Sequence, residues 1–197
     1  IVELQDSARN FLATAVVNPK SKIFARVVTK TANKIGGSEL VFKRISAAKA
    51  LREGIFTDPY YRLINSEADQ MPGTIIDRFG HFFVIQPNSV WAENNLDNIT
   101  DALVELFNPE GIIKNANSRA RTLEGLDDCS ILIHGSVPTT PLQVPMNGAI
   151  YMADLNYGQK TGLFDDQRLN HAFLSSISKN KTVLDVFSHV GGFALAA

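Results

Sequence analysis

Residues 181–197 carry the side chains and glycines whose types and spacing could bind a cofactor. An apolar, β-branched run at residues 182–187 contains Asp185, and Gly191 and Gly192 follow before a segment of small residues. This order predicts a strand, a tight turn and a helix. Glycines there let the backbone approach a ligand, and Asp185 is placed to bind a polar group of a nucleoside. Plain packing of a strand against a helix is the alternative.

The spacing of these glycines distinguishes between kinds of cofactor. It lacks the G-x-G-x-x-G pattern of dinucleotide sites, which weakens the interpretation as a nicotinamide-dependent oxidoreductase. It fits better the glycine-bearing first turn of methyltransferases that use S-adenosylmethionine (SAM). Such a turn holds a sulfonium amino acid and not a pyrophosphate.

Composition bounds the class of protein. The chain has 197 residues, of which 45% are hydrophobic, and this predicts one or two globular domains. No apolar stretch is long enough to span a membrane, and no signal peptide opens the chain, so we expect no membrane partner. A single cysteine, Cys129, excludes an internal disulfide framework and fits a cytoplasmic location. The four histidines are widely scattered, so we expect no metal.

The charge is distributed unevenly along the chain. Residues 1–52 contain ten Lys and Arg against three acids, a net charge of +7, whereas the whole chain has a net charge of −1. A basic segment joined to an acidic body indicates that the first part meets a polyanion. A solvated basic surface without a partner is the alternative.

Three blocks of different character follow one another and predict a mixed α/β and α+β fold. The first, residues 1–57, combines two strand candidates, separated by a turn at Pro19, with a stretch of helical apolar spacing. We interpret it as a partial β-rich domain with a trailing helix. The predicted elements are strands at residues 11–17 and 23–29 and a helix at residues 41–54.

The second block, residues 58–145, has the pattern of a small α+β domain. Short β-branched runs flank an amphipathic stretch in which Trp91 is the expected core anchor. The Phe79-Gly80 link suits a hairpin, and three prolines within residues 138–145 indicate a connector. The predicted elements are strands at residues 61–64, 73–78, 81–86, 111–114 and 130–134 and a helix at residues 91–107.

The third block, residues 146–197, predicts the start of a Rossmann-like α/β domain. A strand at residues 149–154 and a helix at residues 163–177 lead into the strand and glycines described first. We expect the later strands to lie beyond Ala197. Because the chain also opens without a methionine, inside a predicted strand, we expect a fragment that lacks both ends.

Two motifs are specific as a pair. Gln-Lys-Thr-Gly and Asp-Gln-Arg occur within residues 157–170, and Asp-x-Phe-Ser-x-x-Gly-Gly-Phe occurs within residues 184–194. The pair resembles the SAM-dependent cytosine-5 methyltransferases of large-subunit ribosomal RNA. Residues 18–27 resemble the end of that family's N-terminal PUA domain, an RNA-binding module, and residues 61–78 resemble the start of its central domain. The resemblance therefore covers nearly the whole chain.

The resemblance implies a chemistry and its participants. A cysteine thiolate adds to C6 of a flipped-out cytosine, C5 then attacks the methyl group of SAM, and a base removes the C5 proton and releases the enzyme. In this family the cysteine nucleophile lies beyond Ala197, so the catalytic residues are unknown here and the fragment alone should be inactive. The implied cofactor is SAM and the implied partner is ribosomal RNA.

The resemblance also implies ten cofactor-binding residues. One group would wrap the methionine and ribose of SAM, and the other would close over it. For Asp166-Gln-Arg168, a charged first helical turn is the structural alternative. The first group is Asp185, Phe187, Ser188, Gly191 and Gly192, and the second is Lys160, Thr161, Gly162, Gln167 and Arg168.

The expected RNA contacts lie in the basic segment, at Lys20, Lys22 and Arg26. Cys129 lies in the second block, outside the expected cofactor fold, and we do not expect it to be the nucleophile. We interpret Asp77 and Arg78 as an ion pair beside the hairpin, with a contact to RNA as the alternative. A methyltransferase acting on another RNA base and an RNA-binding module with a non-catalytic scaffold stay open as functions, and a homodimer stays open as the assembly.

Overall fold

The computed structural model describes residues 1–31, 37–156, 161–163, 165–188 and 191–197. Its first element group is a three-stranded antiparallel sheet formed by β1 (Val2–Gln5), β2 (Phe11–Val17) and β3 (Ala25–Thr29), in that order. The two strands predicted in the first block are confirmed, and β3 begins two residues later than expected. The loop from β2 to β3 is closed by the Asn18 backbone N–H, which donates to the Phe24 carbonyl at 2.9 Å. Within this loop the Ser21 N–H donates to the Asn18 carbonyl at 3.1 Å in a tight turn.

A five-stranded sheet forms the centre of the molecule. Its strands, in spatial order, are β4 (Tyr60–Asn65), β5 (Thr74–Phe79), β6 (Phe82–Pro87), β7 (Gly111–Lys114) and β8 (Ile131–Gly135). Only β6 and β7 are parallel within this sheet, because a helical crossover connects them. The predicted hairpin between β5 and β6 is confirmed, and Gly80 turns it at φ +65°.

Helices cover one face of this sheet. They are α1 (Ser38–Glu53), α2 (Val90–Asn94) and α3 (Leu96–Phe107), and their apolar residues share one core with Phe83 and Ile85 of β6. The helix predicted at residues 91–107 is wrong in one respect, because Asn95 divides it. The Asn95 side chain donates to the Trp91 carbonyl at 2.8 Å and so ends α2. Trp91 is buried in the core, as expected.

A hairpin covers the opposite face. It consists of β9 (Leu142–Met146) and β10 (Ala149–Ala153), and residues such as Val144 and Tyr151 pack on Val84 of β6. The expected proline connector is therefore wrong over residues 142–146, because Pro145 is tolerated in a two-stranded ribbon. The hairpin turn at Asn147 and Gly148, both at positive φ, has the Asn-Gly sequence typical of a type I′ turn.

The remaining helices are short. The sequence did not predict α4 (Arg119–Glu124), which Ser118 caps at its start and Gly125 ends at φ +73°. A 3-10 turn at Asp165–Gln167 leads into α5 (Arg168–Ser178), and α6 (Gly192–Ala196) follows the glycines. None of the helices in the described ranges is long and apolar enough to cross a membrane.

The predicted strand at residues 182–187 is absent from the described structure. A strand requires a hydrogen-bonded neighbour, and no described segment pairs with these residues. Leu184 is 85% exposed as a result. The doubly wound sheet expected in the third block does not form within the described residues, although the order of helix, extended segment, glycines and helix is kept.

Candidate functional site

The glycine turn, of which residues 185–188 and 191–192 are described, presents open backbone at Gly191, at the start of α6. Gly191 has φ +73°, and among the described residues a Cβ atom added there would meet only Leu195 and Ser188, at 3.9 and 4.0 Å. An Asp185 carboxylate oxygen accepts from the backbone N–H of Ala194 at 3.2 Å, which fixes the turn against the helix. Phe187 is fully exposed with φ +60°. The turn therefore leaves room beside Gly191 for a ligand.

A buried histidine that the sequence did not single out lies against the glycine turn. The His171 ring stacks on Tyr151 with centroids 5.7 Å apart and meets the edge of Phe193 at 4.6 Å. A Cβ atom on Gly192 would lie 2.8 Å from this ring, so only glycine fits there. The Tyr151 hydroxyl donates to the Gly192 carbonyl at 3.3 Å. These contacts support the turn on β10 and α5.

Burial of His171 also sets its ionisation. The side chain is 4% exposed, and its Nδ1 atom has no hydrogen-bond partner in the described structure. Desolvation lowers the pKa of His171 below its ordinary value of 6.5, and the negative charge of Asp185 opposes this only in part. The neutral imidazole is therefore the form that fits beside the turn.

Thr161, one of the upstream residues predicted to bind the cofactor, contacts the central sheet. The Thr161 hydroxyl donates to a carboxylate oxygen of Asp77 on β5 at 2.7 Å. Gly162 has φ +117°, and a Cβ atom there would lie 2.8 Å from the Asp154 carbonyl oxygen, so this position requires glycine. Lys160, the other member of this stretch, lies outside the described residues.

Gln167 and Arg168 lie where the 3-10 turn meets α5. The Gln167 side chain accepts from Asn170 at 2.8 Å. The Arg168 guanidinium donates to the Tyr60 carbonyl and lies 4.8 Å from the centroid of the Phe56 ring. Arg168 is thus bound to the central domain, and the structure describes no contact between this stretch and the glycine turn itself.

The interpretation of Asp77 and Arg78 as an ion pair is wrong. Asp77 pairs with Arg62 at 2.8 Å, whereas Arg78 contacts Glu53 at 3.4 Å and the Tyr61 hydroxyl at 2.7 Å. Successive side chains of a strand point to opposite faces of the sheet, which separates the two neighbours.

Much of the basic segment is bound within the molecule. Arg26 forms ion pairs with Glu67 and Glu124, at 2.9 and 3.0 Å. Arg52 forms a bidentate ion pair with Asp69. Lys20 and Lys22, by contrast, are exposed. Two further basic side chains are also engaged internally, namely Arg44 with the Val28 carbonyl and Lys49 with the Leu106 carbonyl.

Glu124 at the end of α4 connects the first sheet to the central domain. Its buried carboxylate accepts from Ser21 at 2.6 Å, from Asn18 at 3.0 Å and from Arg26 at 3.0 Å. Burial by itself raises the pKa of Glu124, but these donors outweigh it and hold the pKa below the ordinary value. The loop that carries Lys20 and Lys22 is therefore fixed in place.

Cys129 is an exposed free thiol in the loop before β8. Its backbone N–H donates to Asp127 at 3.2 Å. The structure describes no contact between Cys129 and the predicted cofactor residues.

Comparison with known proteins shows what this chain is similar to. A family profile described as a PUA-like domain matches residues 1–30, which form the first sheet. The protein named ribosomal RNA large subunit methyltransferase I of Vibrio vulnificus strain CMCP6 is 38% identical over 190 residues, covering 95% of this chain and 48% of the relative. Nearly the whole of this chain is thus similar to part of a ribosomal RNA large-subunit methyltransferase.

A second relative shows the same similarity. The protein of the same name from Pseudoalteromonas translucida is 35% identical over 201 residues, covering 100% of this chain and 50% of the relative. The chain thus spans about half the length of the curated relatives it matches.

Solved structures confirm the fold class. A candidate SAM-dependent methyltransferase from Streptococcus mutans superposes with a TM-score of 0.83 at 25% identity, covering 98% of this chain and 50% of that structure. SMU.776, a candidate methyltransferase crystallised with S-adenosylhomocysteine (SAH), also superposes with a TM-score of 0.83, at 24% identity. The match covers 98% of this chain and 50% of that structure.

Proposed function

We propose that the protein containing this chain transfers a methyl group from SAM to large-subunit ribosomal RNA. The observation that carries the proposal is the similarity, over nearly the whole chain, to relatives named ribosomal RNA large subunit methyltransferase I. Because the chain spans only about half of those relatives, the proposal concerns the full-length protein.

The cofactor contacts proposed for this chain are the ten residues of the motif pair. The space beside Gly191 supports a ligand there, because among the described residues only the side chains of Leu195 and Ser188 border it, at ordinary van der Waals distance. Asp185, Phe187, Ser188, Gly191 and Gly192 would hold SAM, and Lys160, Thr161, Gly162, Gln167 and Arg168 would close over it. SAM supplies a methyl group already activated as a sulfonium, so these residues need only bind it, orient it and exclude water.

The proposed target atom is C5 of a cytosine. The support is the resemblance of residues 157–170 and 184–194 to cytosine-5 methyltransferases. Methylation at C5 by this route requires a thiolate beside the cofactor. Cys129 instead lies in the loop before β8, where its backbone N–H donates to Asp127. We therefore propose that Cys129 is not the nucleophile.

The proposed RNA contacts lie on the first sheet and its fixed loop. Exposed Lys20 and Lys22 are available to phosphates. Arg26 was expected among these contacts, and its two ion pairs support a role in holding the loop.

Calorimetry on the full-length protein tests the cofactor. We expect binding of SAH and no binding of NADH, and the reverse result would favour an oxidoreductase. Replacement Gly191→Val should abolish SAH binding, because the valine side chain would occupy the space beside the turn. Valine would also be strained at φ +73°, a conformation that glycine adopts without strain. Leu12→Val, at an exposed apolar position on β2, is the control and should bind normally. Unchanged affinity in Gly191→Val would argue against this site.

Transfer of a labelled methyl group tests the substrate. The full-length protein should label large-subunit ribosomal RNA, and mass spectrometry of the digested RNA should place the methyl group on C5 of cytosine. A methyl group on another base would overturn the cytosine assignment. RNA binding without any transfer would favour a non-catalytic RNA-binding module.

A further inference from the structure

Thr161, in the stretch proposed to close over the cofactor, is held by a side chain of the central domain. Its hydroxyl donates to Asp77 at 2.7 Å, although the two residues are 84 positions apart in the sequence. Both are 1% exposed. The contact thus lies in the interior, where water cannot replace a lost partner and a hydrogen bond to a carboxylate has its full strength.

The Asp77 carboxylate is itself fixed. Arg62, which lies opposite Asp77 across the β4–β5 ladder, donates to it from Nε at 2.8 Å and from a terminal nitrogen at 3.1 Å. Such a bidentate pair fixes the orientation of the carboxylate. Thr161 therefore meets an acceptor whose position two strands of the central sheet determine.

Two neighbouring contacts restrict the same stretch. Gly162 lies against the Asp154 carbonyl with no room for a Cβ atom. Further along, Arg168 donates to the carbonyl of Tyr60 on β4. The strand pair β4–β5 thus holds the stretch at Thr161 and again at Arg168.

We infer that Asp77 is a positioning residue for the cofactor site. It holds Thr161, and with it the adjacent Gly162, in the binding conformation before the cofactor arrives. A segment already ordered does not lose conformational entropy on binding, so this contact raises cofactor affinity without touching the cofactor. The inference rests on the proposed function, and it assigns to the central domain a share in cofactor binding.

The test compares two carboxylates of the central domain in the full-length protein. Asp77→Asn should weaken SAH binding about tenfold in calorimetry, the loss expected for one hydrogen bond to a charged group. Asp69→Asn is the matched control, because Asp69 also forms a bidentate pair, a half-buried one with Arg52 at 2.7 Å, and no contact between Asp69 and the stretch is found among the described residues. Its SAH affinity should stay within about twofold, since distant sites act independently.

A double-mutant cycle separates positioning from general destabilisation. Thr161→Val should weaken SAH binding, and Thr161→Ser, which keeps the hydroxyl, should restore most of it. Once Thr161→Val is present, Asp77→Asn should cause little further loss. Additive losses, or equal losses in Asp77→Asn and Asp69→Asn, would overturn the inference.

Trypsin cleavage after Lys160 gives a readout that does not need the cofactor. Asp77→Asn should speed this cleavage several-fold, whereas Asp69→Asn should not. If the wild-type protein binds SAH and Asp77→Asn changes neither affinity nor cleavage, the inference alone fails. If the wild-type protein does not bind SAH, the proposed function fails, and the inference fails with it.

Discussion

At the scale of single residues, the His171 ring and the missing side chain of Gly192 fit together by shape. The imidazole ring fills the space that a Cβ atom on Gly192 would need, and its Nδ1 atom is buried without a partner. A protonated ring would place an extra proton and a charge in this interior position. The turn that is proposed to bind SAM is thus supported by a side chain that fits only when neutral.

This predicts a loss of stability in mildly acidic solution. Because burial lowers the pKa of His171 in the folded state, the unfolded chain takes up the proton first, and stability is complete above pH 6.5 and falls as the pH drops below it. His171→Asn should be less stable at pH 7.5 but lose less stability between pH 7.5 and pH 5.5. Urea unfolding at both pH values measures this.

The control for His171 is exposed His81. His81→Gln should keep the pH dependence of the wild-type protein. The pKa of Glu124 is held below its ordinary value by its hydrogen-bond donors, so its contribution to stability is lost only in more acidic solution. If the stability of His171→Asn fell with pH as much as that of the wild-type protein, His171 would not be the cause of the loss of stability in acid.

Cys129 supplies a second prediction at this scale. Replacement Cys129→Ser in the full-length protein should keep methyl transfer to ribosomal RNA within about threefold, since an exposed surface substitution alters little. Initial rates with labelled SAM measure the effect. A loss of several orders of magnitude, with SAH binding intact, would instead place the catalytic centre near β8.

At the scale of elements, the β2–β3 turn and α4 are joined by one carboxylate. Glu124 accepts from three side chains of the turn region and β3, and it is 4% exposed. Glu67 also pairs with Arg26, but its side chain is 59% exposed. The two glutamates thus share one arginine and differ in burial.

This difference predicts unequal effects of the same substitution. Glu124→Gln should destabilise the protein by about 3 kcal/mol, because it takes the charged acceptor from the Ser21 and Asn18 donors and removes the more buried of the two carboxylates that pair with Arg26. Glu67→Gln should cost less than about 1 kcal/mol, as is usual for exposed pairs. Urea unfolding followed by circular dichroism compares them, and similar costs would show that Glu124 does not hold the two domains together.

An exposed apolar face on α5 is a second feature at this scale. Leu169, Phe173 and Ile177 recur at every fourth position, and each is more than half exposed. The adjacent segment at residues 182–187 is likewise exposed and has no ladder partner among the described strands. An isolated strand candidate cannot form without a neighbour, which explains why its sequence pattern was not realised.

At the scale of the whole molecule, the basic first segment and the acidic body partly neutralise each other. Arg26 and Arg52 pair with Glu67, Glu124 and Asp69 of the central domain. Helix α1, which the sequence grouped with the first domain, packs on the central core. The boundaries at residues 57 and 145 stay predictions, and this packing favours a first boundary before Ser38.

The remaining exposed lysines predict the salt dependence of RNA binding. Replacing Lys20 and Lys22 together by Ala should weaken binding across RNA sequences and reduce the slope of log affinity against log salt by about one unit per lost phosphate contact. Filter binding at several salt concentrations measures the slope. Replacing Lys179 and Lys181, which are exposed outside the basic segment, is the matched control. Equal slopes in both variants would show that the basic segment is only a solvated surface.

The sequence by itself determined the local structure and the motifs. Buried strands such as β6, the hairpin at Gly80 and the glycine turn follow from period, propensity and turn residues close together in the chain. The Asn147-Gly148 turn carried the same kind of signal, although the prolines around it obscured the hairpin.

Only the tertiary structure decided which side chains meet. Asp77 and Arg78 are neighbours in sequence and lie on opposite faces, whereas Asp77 and Thr161 are far apart and share a hydrogen bond. The burial of His171 and the neutralisation of Arg26 likewise depend on elements distant in the chain. Periodicity assigns a residue to a face, but packing between elements selects its partner, and the partner sets the residue's charge, exposure and role.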